Sequence, residues 1–287
     1  MTLTFAGRYA ARRQRPAGRS RRVVPTLVVG LVLAAGLLLV ALAQGVLVPQ
    51  DPAATALADR LRPPGGGHLL GTDQLGRDVF SRVLTGFRWS LGVGVVATTV
   101  GAIIGTTIGI VAGWSTGWLR ALLTRVVDLA ISFPYLVIAI VVVALVGRGF
   151  WPLALTLGVV TWPTYARVVY AETLSLRTRE YVLAARLVGA SPARTLASHV
   201  LPGLRPTLLV LCAFQFADIL VAESGLSFLG LGAPLGTPTW GNMLADSRAY
   251  LVDAPWLLLA PAGAIVLAVV TANLLGDGLS ARARSRR

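Results

Sequence analysis

Six long apolar runs divide this sequence, and they constrain its fold more than any other feature. They cover residues 23–48, 90–113, 122–146, 152–170, 207–226 and 256–275. Each is close to the length of about 20 residues that a helix needs to cross roughly 30 Å of hydrocarbon. The chain is 55% hydrophobic and 13% charged, a balance that a soluble domain would not keep in water. The sequence therefore predicts an all-α integral membrane protein with six transmembrane helices, the first too long for a signal-peptide core.

The basic residues predict which side of the membrane each segment occupies. All 26 are arginines, and nineteen of them fall in the segments that would be inside if the N-terminus is inside. Because cytoplasmic loops of membrane proteins collect Arg, both termini are predicted to be cytoplasmic, with basic tails at 1–22 and 280–287. This clustering argues against a nucleic-acid partner despite the net charge of +14, since nucleic-acid binding needs a continuous basic face.

The second apolar run carries a small residue at every fourth position. These residues are Ala97, Gly101, Gly105, Gly109 and Gly113. On a helix they form one smooth ridge, against which another helix can pack closely. The sequence leaves open whether that helix belongs to this chain or to a partner subunit.

The first predicted outer segment, residues 49–88, is too long for a simple turn. Its last part places several apolar side chains on one helical face: Val79, Phe80, Val83, Leu84 and Phe87. Asp73 with Arg77, and Asp78 with Arg82, are spaced as i,i+4 ion pairs. We expect an amphipathic helix that lies on the outer surface of the membrane.

A second predicted outer segment covers residues 223–255 and is rich in Gly, Pro and Trp. Such a segment can receive a soluble partner, or it can serve only as a connecting loop. The sequence does not decide between these two interpretations.

One predicted cytoplasmic loop, residues 171–203, is longer than a connection needs and indicates two short helices. Thr178 is expected to cap the first helix and Gly189 to end it. One face of that helix is small and apolar, with Tyr181, Ala184, Ala185 and Val188. Such a face can dock into a groove of another protein, or the loop can pack only on its own helix bundle.

The second short helix of this loop is predicted to begin at Ser191 and Pro192, a pair typical of an N-cap and first helical turn. We expect it to run to about Val200 and to be stopped by Pro202.

The same loop carries a recognisable motif. Its residues Leu183, Ala184, Ala185, Gly189, His199, Leu201 and Pro202 follow the spacing of the cytoplasmic signature of ABC-importer permeases, Glu-Ala-Ala, Gly and Ile-x-Leu-Pro. Three further stretches resemble the C-type permease subunit of dipeptide, oligopeptide and nickel importers. They are 71–82, with Gly-Thr-Asp-Gln-Leu-Gly-Arg-Asp, then 128–134, ending in Ser-Phe-Pro, and 223–243, with Glu-Ser-Gly-Leu-Ser-Phe-Leu-Gly-Leu-Gly and Trp-Gly-Asn-Met.

This resemblance covers nearly the whole chain after the basic tail, and it implies a type I ABC importer permease (MetI-like) fold. A first helix and outer segment, 23–88, would precede a core permease domain, 89–279, whose coupling loop is 171–203. The family's outer motif falls on Gly71, Thr72, Asp73, Gly76, Arg77 and Asp78. The residues implied to couple the chain to an ATPase are Glu180, Tyr181, Leu183, Ala184, Ala185, Gly189, Ala190, Leu201 and Pro202.

The sequence departs from the signature at two positions. Leu183 stands where the family has glutamate, and His199 replaces an aliphatic residue. The loss of the carboxylate puts in doubt any ionic contact with the ATPase at this point. Glu180, about one turn earlier, is a possible substitute, and the sequence does not decide whether it takes that role.

The implied function is that of a permease subunit of an ATP-driven importer for dipeptides or oligopeptides in the bacterial cell membrane. The implied partners are a sibling permease, ATP-binding subunits, an extracytoplasmic substrate-binding protein and the lipid bilayer. The sequence contains no phosphate-binding loop and no lysine to complete one, so the chain is expected to be non-catalytic, with ATP and Mg²⁺ used by its partners. Alternatives are the same role for nickel chelates or another small solute, and a secondary transporter that works without ATP.

Polar residues within the apolar runs are the candidates for a translocation path, because a charge in hydrocarbon is costly unless it faces water or a partner. They are Asp128, Asp218 and Asn273. For Asp128 we favour a structural ion pair with Arg125; Asp218 fits cavity lining and interhelical bonding equally. The single Cys212 and two isolated histidines predict no disulfide, no metal site and no membrane-embedded enzyme.

Overall fold

The computed structural model describes residues 23–234 and 236–285. The predicted basic tail at 1–22, together with Arg286 and Arg287, lies outside the described residues. Ten α-helices account for most of the described chain, and no β-strand occurs in these two ranges. The structure is therefore all-helical, as predicted.

Seven of the helices have 12 or more residues, and α4 is the shortest of them. They are α1 (Val23–Leu47), α2 (Val79–Trp114), α3 (Gly117–Ser132), α4 (Tyr135–Val146), α5 (Phe150–Leu176) and, later in the chain, α8 (Leu201–Phe228) and α10 (Trp256–Ser285), of which α3 and α4 form one bent pair. The short helices are α6 (Glu180–Leu187), α7 (Pro192–Thr195) and α9 (Trp240–Ser247). A π-helical turn, Leu196–Val200, joins α7 to α8.

Four helical stretches are long and apolar enough to cross a membrane by themselves, and α3 with α4 makes a fifth if this pair is one broken span. The remaining predicted span corresponds to α5, which is less apolar because its first eighteen residues include two prolines, two tryptophans and Arg167. Length and composition of the described helices therefore support four to five spans, where the sequence predicts six.

The predicted span at 122–146 is broken in its middle. The helices α3 and α4 meet at an angle of 82°. Phe133 between them is extended, with φ −96° and ψ 137°, because the ring of Pro134 disfavours helical geometry in the residue before it.

The glycine ridge of α2 packs against α5 of the same chain. A β-carbon added at Gly105 would lie 2.4 Å from the carbonyl oxygen of Trp162, and one added at Gly109 would lie 2.7 Å from that of Ala166. The fit is reciprocal, because a β-carbon added at Gly158 of α5 would lie 2.7 Å from the Val100 β-carbon of α2. The predicted contact surface is confirmed, and its partner is a helix of this chain.

The predicted amphipathic surface helix is wrong. Residues 79–88 form the first turns of α2, and Val79, Val83 and Phe87 are buried in a core with Trp240 of α9. Asp78 caps this helix, since its carboxylate accepts a hydrogen bond from the Ser81 amide at 2.8 Å. The apolar face that suggested a membrane surface therefore packs on the outer segment that follows α8.

Candidate functional site

The first helix of the cytoplasmic loop is α6, and Gly189 ends it as predicted. Gly189 has a positive φ of 89°, its amide donates to the carbonyl of Arg186 at 3.1 Å, and the Ala190 amide donates to that of Ala185 at 3.0 Å. This geometry is typical of a glycine C-cap. The predicted cap at Thr178 is wrong, because its hydroxyl donates to the Ser175 carbonyl at the end of α5 and Arg179 takes the N-cap position.

The second helix begins as predicted but does not stop at Pro202. The Ser191 hydroxyl accepts a hydrogen bond from the Arg194 amide at 3.3 Å, and Pro192 occupies the first turn. After α7 the chain widens into the π-helical turn, where the Leu201 amide reaches back to the Leu196 carbonyl. Pro202 then lies in the first turn of α8, where a missing amide hydrogen costs little.

Most of the predicted docking face of α6 is exposed. Val188 is 89% exposed and Leu187 is 88% exposed, at the C-terminal end of the helix. Tyr181, Leu183 and Ala184 are also exposed, and Ala185 is half-buried. The apolar surface is thus larger than the sequence predicts, because Leu183 and Leu187 add to it.

The remaining residues of the predicted coupling set flank this surface. Glu180 lies exposed in the first turn of α6, Ala190 is half-buried after its end, Leu201 is exposed and Pro202 is half-buried at the start of α8. His199 stacks on Tyr181 with 6.2 Å between ring centroids. His199, which replaces the aliphatic residue of the family signature, therefore packs against Tyr181 of α6.

Arg186 and the buried Val182 hold α6 to the bundle, and Arg177, at the end of α5, adds a contact between α5 and α2 just before α6 begins. Val182 is fully buried, and the Arg186 guanidinium lies over the Trp114 ring, 5.7 Å from its centroid. The Arg177 guanidinium donates to the Gly113 carbonyl at 3.0 Å. Trp114 and Gly113 are the last residues of α2, so α6 is connected directly to the end of that helix.

The outer motif at 71–78 forms a compact turn around Asp73. The Asp73 carboxylate accepts from the amides of Leu75 and Arg77 and from the Arg77 guanidinium, at 2.8, 2.9 and 2.6 Å. Gly71 and Gly76 have positive φ values, and a β-carbon at Gly76 would lie 1.8 Å from the Ala56 carbonyl oxygen. The predicted Asp73 to Arg77 pair is confirmed, in a turn and not on a helix.

The remaining two members of the outer motif have other partners. The Thr72 hydroxyl accepts from the Arg62 amide at 2.8 Å and donates to the Asp59 carbonyl. Asp78 contacts the His68 ring at 3.0 Å besides capping α2. The predicted pair of Asp78 with Arg82 is wrong, because an N-cap carboxylate must turn toward the free amides of the first turn.

Arg82 instead joins the outer motif to α9. Its side chain is buried, with nitrogen atoms 3.6 Å from the Asp73 carboxylate and 3.7 Å from that of Asp246. The Arg77 guanidinium also approaches Asp246, at 3.8 Å. Two arginines and two aspartates therefore connect the outer turn, the start of α2 and α9.

The second outer segment begins later than predicted. Glu223 is fully buried within α8, where its carboxylate accepts from the hydroxyls of Ser224 and Ser227. Trp240 is also fully buried, and its indole nitrogen donates to the Val83 carbonyl at 3.2 Å. Much of this segment therefore belongs to the core.

Asp128 pairs with Arg167 of α5 and not with Arg125. The carboxylate of Asp128 and the guanidinium of Arg167 form an ion pair in which the side chains are 57% and 55% exposed. Arg125 lies on an exposed face of the same helix. The predicted pair of Asp128 with Arg125, which rested on their spacing in the sequence, is wrong, because Asp128 has a partner on another helix.

The other two path candidates lie elsewhere. Asp218 is exposed on α8, and Asn273 is half-buried on α10. Within the described ranges no hydrogen bond joins Asp128, Asp218 and Asn273 to one another. The structure does not bring the three together into one site.

Two notable residues escaped the sequence analysis. Arg167 is one of the nineteen arginines placed on the inner side, although it lies within the apolar run 152–170, where its aromatic and threonine neighbours indicate a charge within a helix. Glu223 was assigned to an outer segment, although the apolar residues before it continue the helical pattern to Phe228.

Comparison with known proteins gives consistent matches over most of the chain. The sequence pattern of a family described as binding-protein-dependent transport system inner membrane component matches residues 105–286. A dipeptide transport system permease protein of Alkalihalophilus pseudofirmus is 36% identical over 252 residues, which are 88% of this chain and 83% of the relative. A putative peptide permease protein of Brucella suis is 39% identical over 252 residues, 87% of this chain and 83% of its own.

A third relative is similar over a slightly longer stretch. A glutathione transport system permease protein of Salmonella typhimurium is 44% identical over 260 residues, which are 90% of this chain and 85% of the relative. This match leaves only about a tenth of the chain unmatched. It is therefore long enough to include both the outer motif and the cytoplasmic loop.

Proposed function

The chain belongs to the family of binding-protein-dependent transport system inner membrane components, and we propose that with a sibling permease it forms the translocation path of an ATP-driven peptide importer. It is a multi-pass, peptide-type permease of the bacterial inner membrane. Family membership makes it the membrane component of a transport system, not the catalytic part. We assign ATP and Mg²⁺ to partner ATPase subunits, and delivery of the peptide to an extracytoplasmic binding protein.

We also propose a topology with six spans and both termini in the cytoplasm. Four stretches and the bent pair provide five spans, and α5 provides the sixth. At 27 residues this helix is about 40 Å long, enough to cross the bilayer. Its moderate apolarity fits a helix that packs along α2 on one side and faces a polar path on another.

The observation that carries the coupling role is the apolar end of α6. Leu187 and Val188 are almost fully exposed, and exposed apolar patches on a rigid element mark interaction sites. Val182 and Arg186 hold the same helix to the bundle. A subunit that binds at Val188 is thereby connected to the end of α2. Coupling through Tyr181, Leu183, Ala184 and Gly189 requires no carboxylate at position 183, so we assign Glu180 only a peripheral part.

The mechanism we propose is alternating access driven by this connection. When the ATPase subunits close, α6 moves with them and displaces the end of α2. The glycine ridge fixes α2 to α5, and Arg82 fixes the start of α2 to the outer turn and α9. The displacement therefore tilts these elements together, which opens the path outward, and ATP hydrolysis returns it.

The test is Val188→Glu, which places a charge on the proposed docking surface without disturbing a buried contact. We expect normal insertion, loss of co-purification with the ATPase subunit and roughly tenfold lower uptake, since an unpaired charge buried in an interface costs at least about 1.4 kcal/mol. Val252→Glu is the control for co-purification, because Val252 is 92% exposed in the outer segment.

Retained co-purification and uptake in Val188→Glu would contradict the coupling role. Peptide uptake by the wild type in ATP-depleted vesicles would point instead to a secondary transporter. Both results are obtained from the same membrane preparations.

A further inference from the structure

The Asp128–Arg167 ion pair lies at a cavity of about 450 Å³ between α2, α3 and α5. Thr124 and Tyr170 are among the residues that line it, and Gly109 of α2 forms part of its wall. Small-molecule sites in proteins have volumes of about 300–1,000 Å³ and a few convergent polar groups. The cavity therefore has the size and the mixed polarity of a ligand site.

The charges of the exposed pair argue against lipid as its neighbour. Asp128 and Arg167 are more than half exposed on the surface of the subunit, yet they lie on helices assigned to the membrane. Charged side chains in the membrane face water or another protein, because hydrocarbon does not solvate them. In the assembled importer this surface therefore lies on the translocation path or beside the sibling subunit.

We infer that Asp128 and Arg167 form a subsite for the charged ends of a peptide in transit. Asp128 accepts hydrogen bonds from the peptide's ammonium group, and Arg167 donates to its carboxylate, a geometry for which guanidinium is well suited. In the empty cavity the two side chains neutralise each other. This assignment rests on the proposed function, since it needs peptide cargo.

The energetics of the pair favour displacement by a ligand. An exposed ion pair contributes little net stability, because water already solvates both charges and ordering the long side chains costs entropy. A peptide with two charged ends replaces one weak pair with two contacts in a partly enclosed cavity. A solute with one charged end leaves one of the two protein charges unpaired when it displaces the pair, and a neutral solute gains no charged contact by displacing it. This difference gives the subsite selectivity.

The alternative is a structural brace that only fastens α3 to α5. The two roles respond differently when both charges are removed. Two apolar residues can replace a purely structural ion pair with little loss, so Asp128→Leu/Arg167→Leu should keep uptake if the pair is a brace. If the pair binds peptide ends, the double variant loses uptake although the subunit assembles.

The experiment uses the complete importer in proteoliposomes, with its own binding protein and ATPase subunits, and radiolabelled dialanine or its C-terminal amide as probe. For Arg167→Gln and Asp128→Asn we expect about a tenfold lower kcat for dialanine, the effect of losing one charge-assisted hydrogen bond, with KM little changed. The wild-type preference for dialanine over its amide should fall in Arg167→Gln. This change in preference belongs to the permease, because the binding protein is the same in both preparations.

Arg125→Gln is the matched control, an exposed arginine on α3, and should transport as the wild type does. Wild-type uptake and preference in Arg167→Gln, or restored uptake in the double leucine variant, would overturn the inference while leaving the importer assignment intact. If the wild-type complex shows no ATP-dependent uptake of dialanine, the proposed function and the subsite fail together.

Discussion

Gly105 lies where α2 and α5 approach so closely that no side chain fits between them. A β-carbon at this position would meet the Trp162 carbonyl oxygen and the Tyr165 β-carbon, both at 2.4 Å. The atoms in the way are backbone or the first side-chain atom, so they cannot rotate aside. Close packing of this kind drives helix association in lipid. Lipid tails are as apolar as the helix surface, so the hydrophobic effect does not hold two helices together there.

We expect Gly105→Val to lower the free energy of unfolding by about 1–3 kcal/mol, because overpacking forces the two helices apart. Thermal unfolding in detergent, followed by loss of helical circular dichroism, measures the effect. Gly36→Val is the control, since a β-carbon at Gly36 has no neighbour within 4 Å. Equal thermal stability of the two variants would show that the ridge does not determine the packing.

Of the three ion pairs predicted between residues close in the chain, one forms. Asp73 and Arg77 are four residues apart and pair as expected. Asp128 and Arg167 are 39 residues apart, and nothing in the local pattern of α3 indicates that α5 will supply the cation. Asp78 shows a further limit, because capping a helix and pairing with Arg82 compete for the same carboxylate.

Where an apolar run alone defines a helix, the sequence predicts its ends well. Where a helix extends beyond its apolar run, the sequence does not predict the extension. The first run, predicted at 23–48, is helical over Val23–Leu47, because apolar length alone defines it. By contrast α2 begins eleven residues before its predicted run, at Val79, where charged residues interrupt the apolar pattern. Of these charged residues, Arg82 is buried between α9 and the outer turn, which only the tertiary structure brings together, and Arg88 is exposed.

The outer turn depends on Asp73, which is buried beside Arg77 and Arg82. We expect Asp73→Ala to cost about 3 kcal/mol, since two buried arginines keep only the partly exposed Asp246 as a partner. The loss should appear as faster hydrogen exchange in residues 71–78 and at the start of α2. Asp51→Ala is the control, because Asp51 is exposed and its carboxylate bonds only to the nearby Ala53 amide among the described residues.

Unchanged exchange at 71–78 in Asp73→Ala would mean that backbone contacts hold the outer turn without the charges. Such contacts exist, for example from the Leu61 amide to the Asp73 carbonyl at 3.1 Å. The exchange pattern therefore separates the contribution of the charge network from that of the turn itself.

Across the whole molecule, one continuous path of contacts runs from the cytoplasmic loop to the outer segment. It passes from α6 through Trp114 into α2, along α2 beside α5, and through Arg82 to α9. The resemblance of the cytoplasmic motif implied its docking role, and the sequence could not show this path because each step joins residues distant in the chain. A long rigid helix with fixed contacts at both ends is suited to transmit a displacement across the membrane.

Trp114→Ala tests this transmission without touching the docking surface. The cation–π contact with Arg186 contributes about 0.5–1 kcal/mol, and its loss should loosen α6 from α2. We expect the ATPase subunit to co-purify and to hydrolyse ATP normally, while peptide uptake per ATP falls several-fold. Trp118→Ala is the control, because Trp118 is 75% exposed on α3.

If uptake per ATP is unchanged in Trp114→Ala, the displacement reaches the path by another route. The covalent connection through α5 and α8 then becomes the better explanation, because α6 lies between those two helices in the chain.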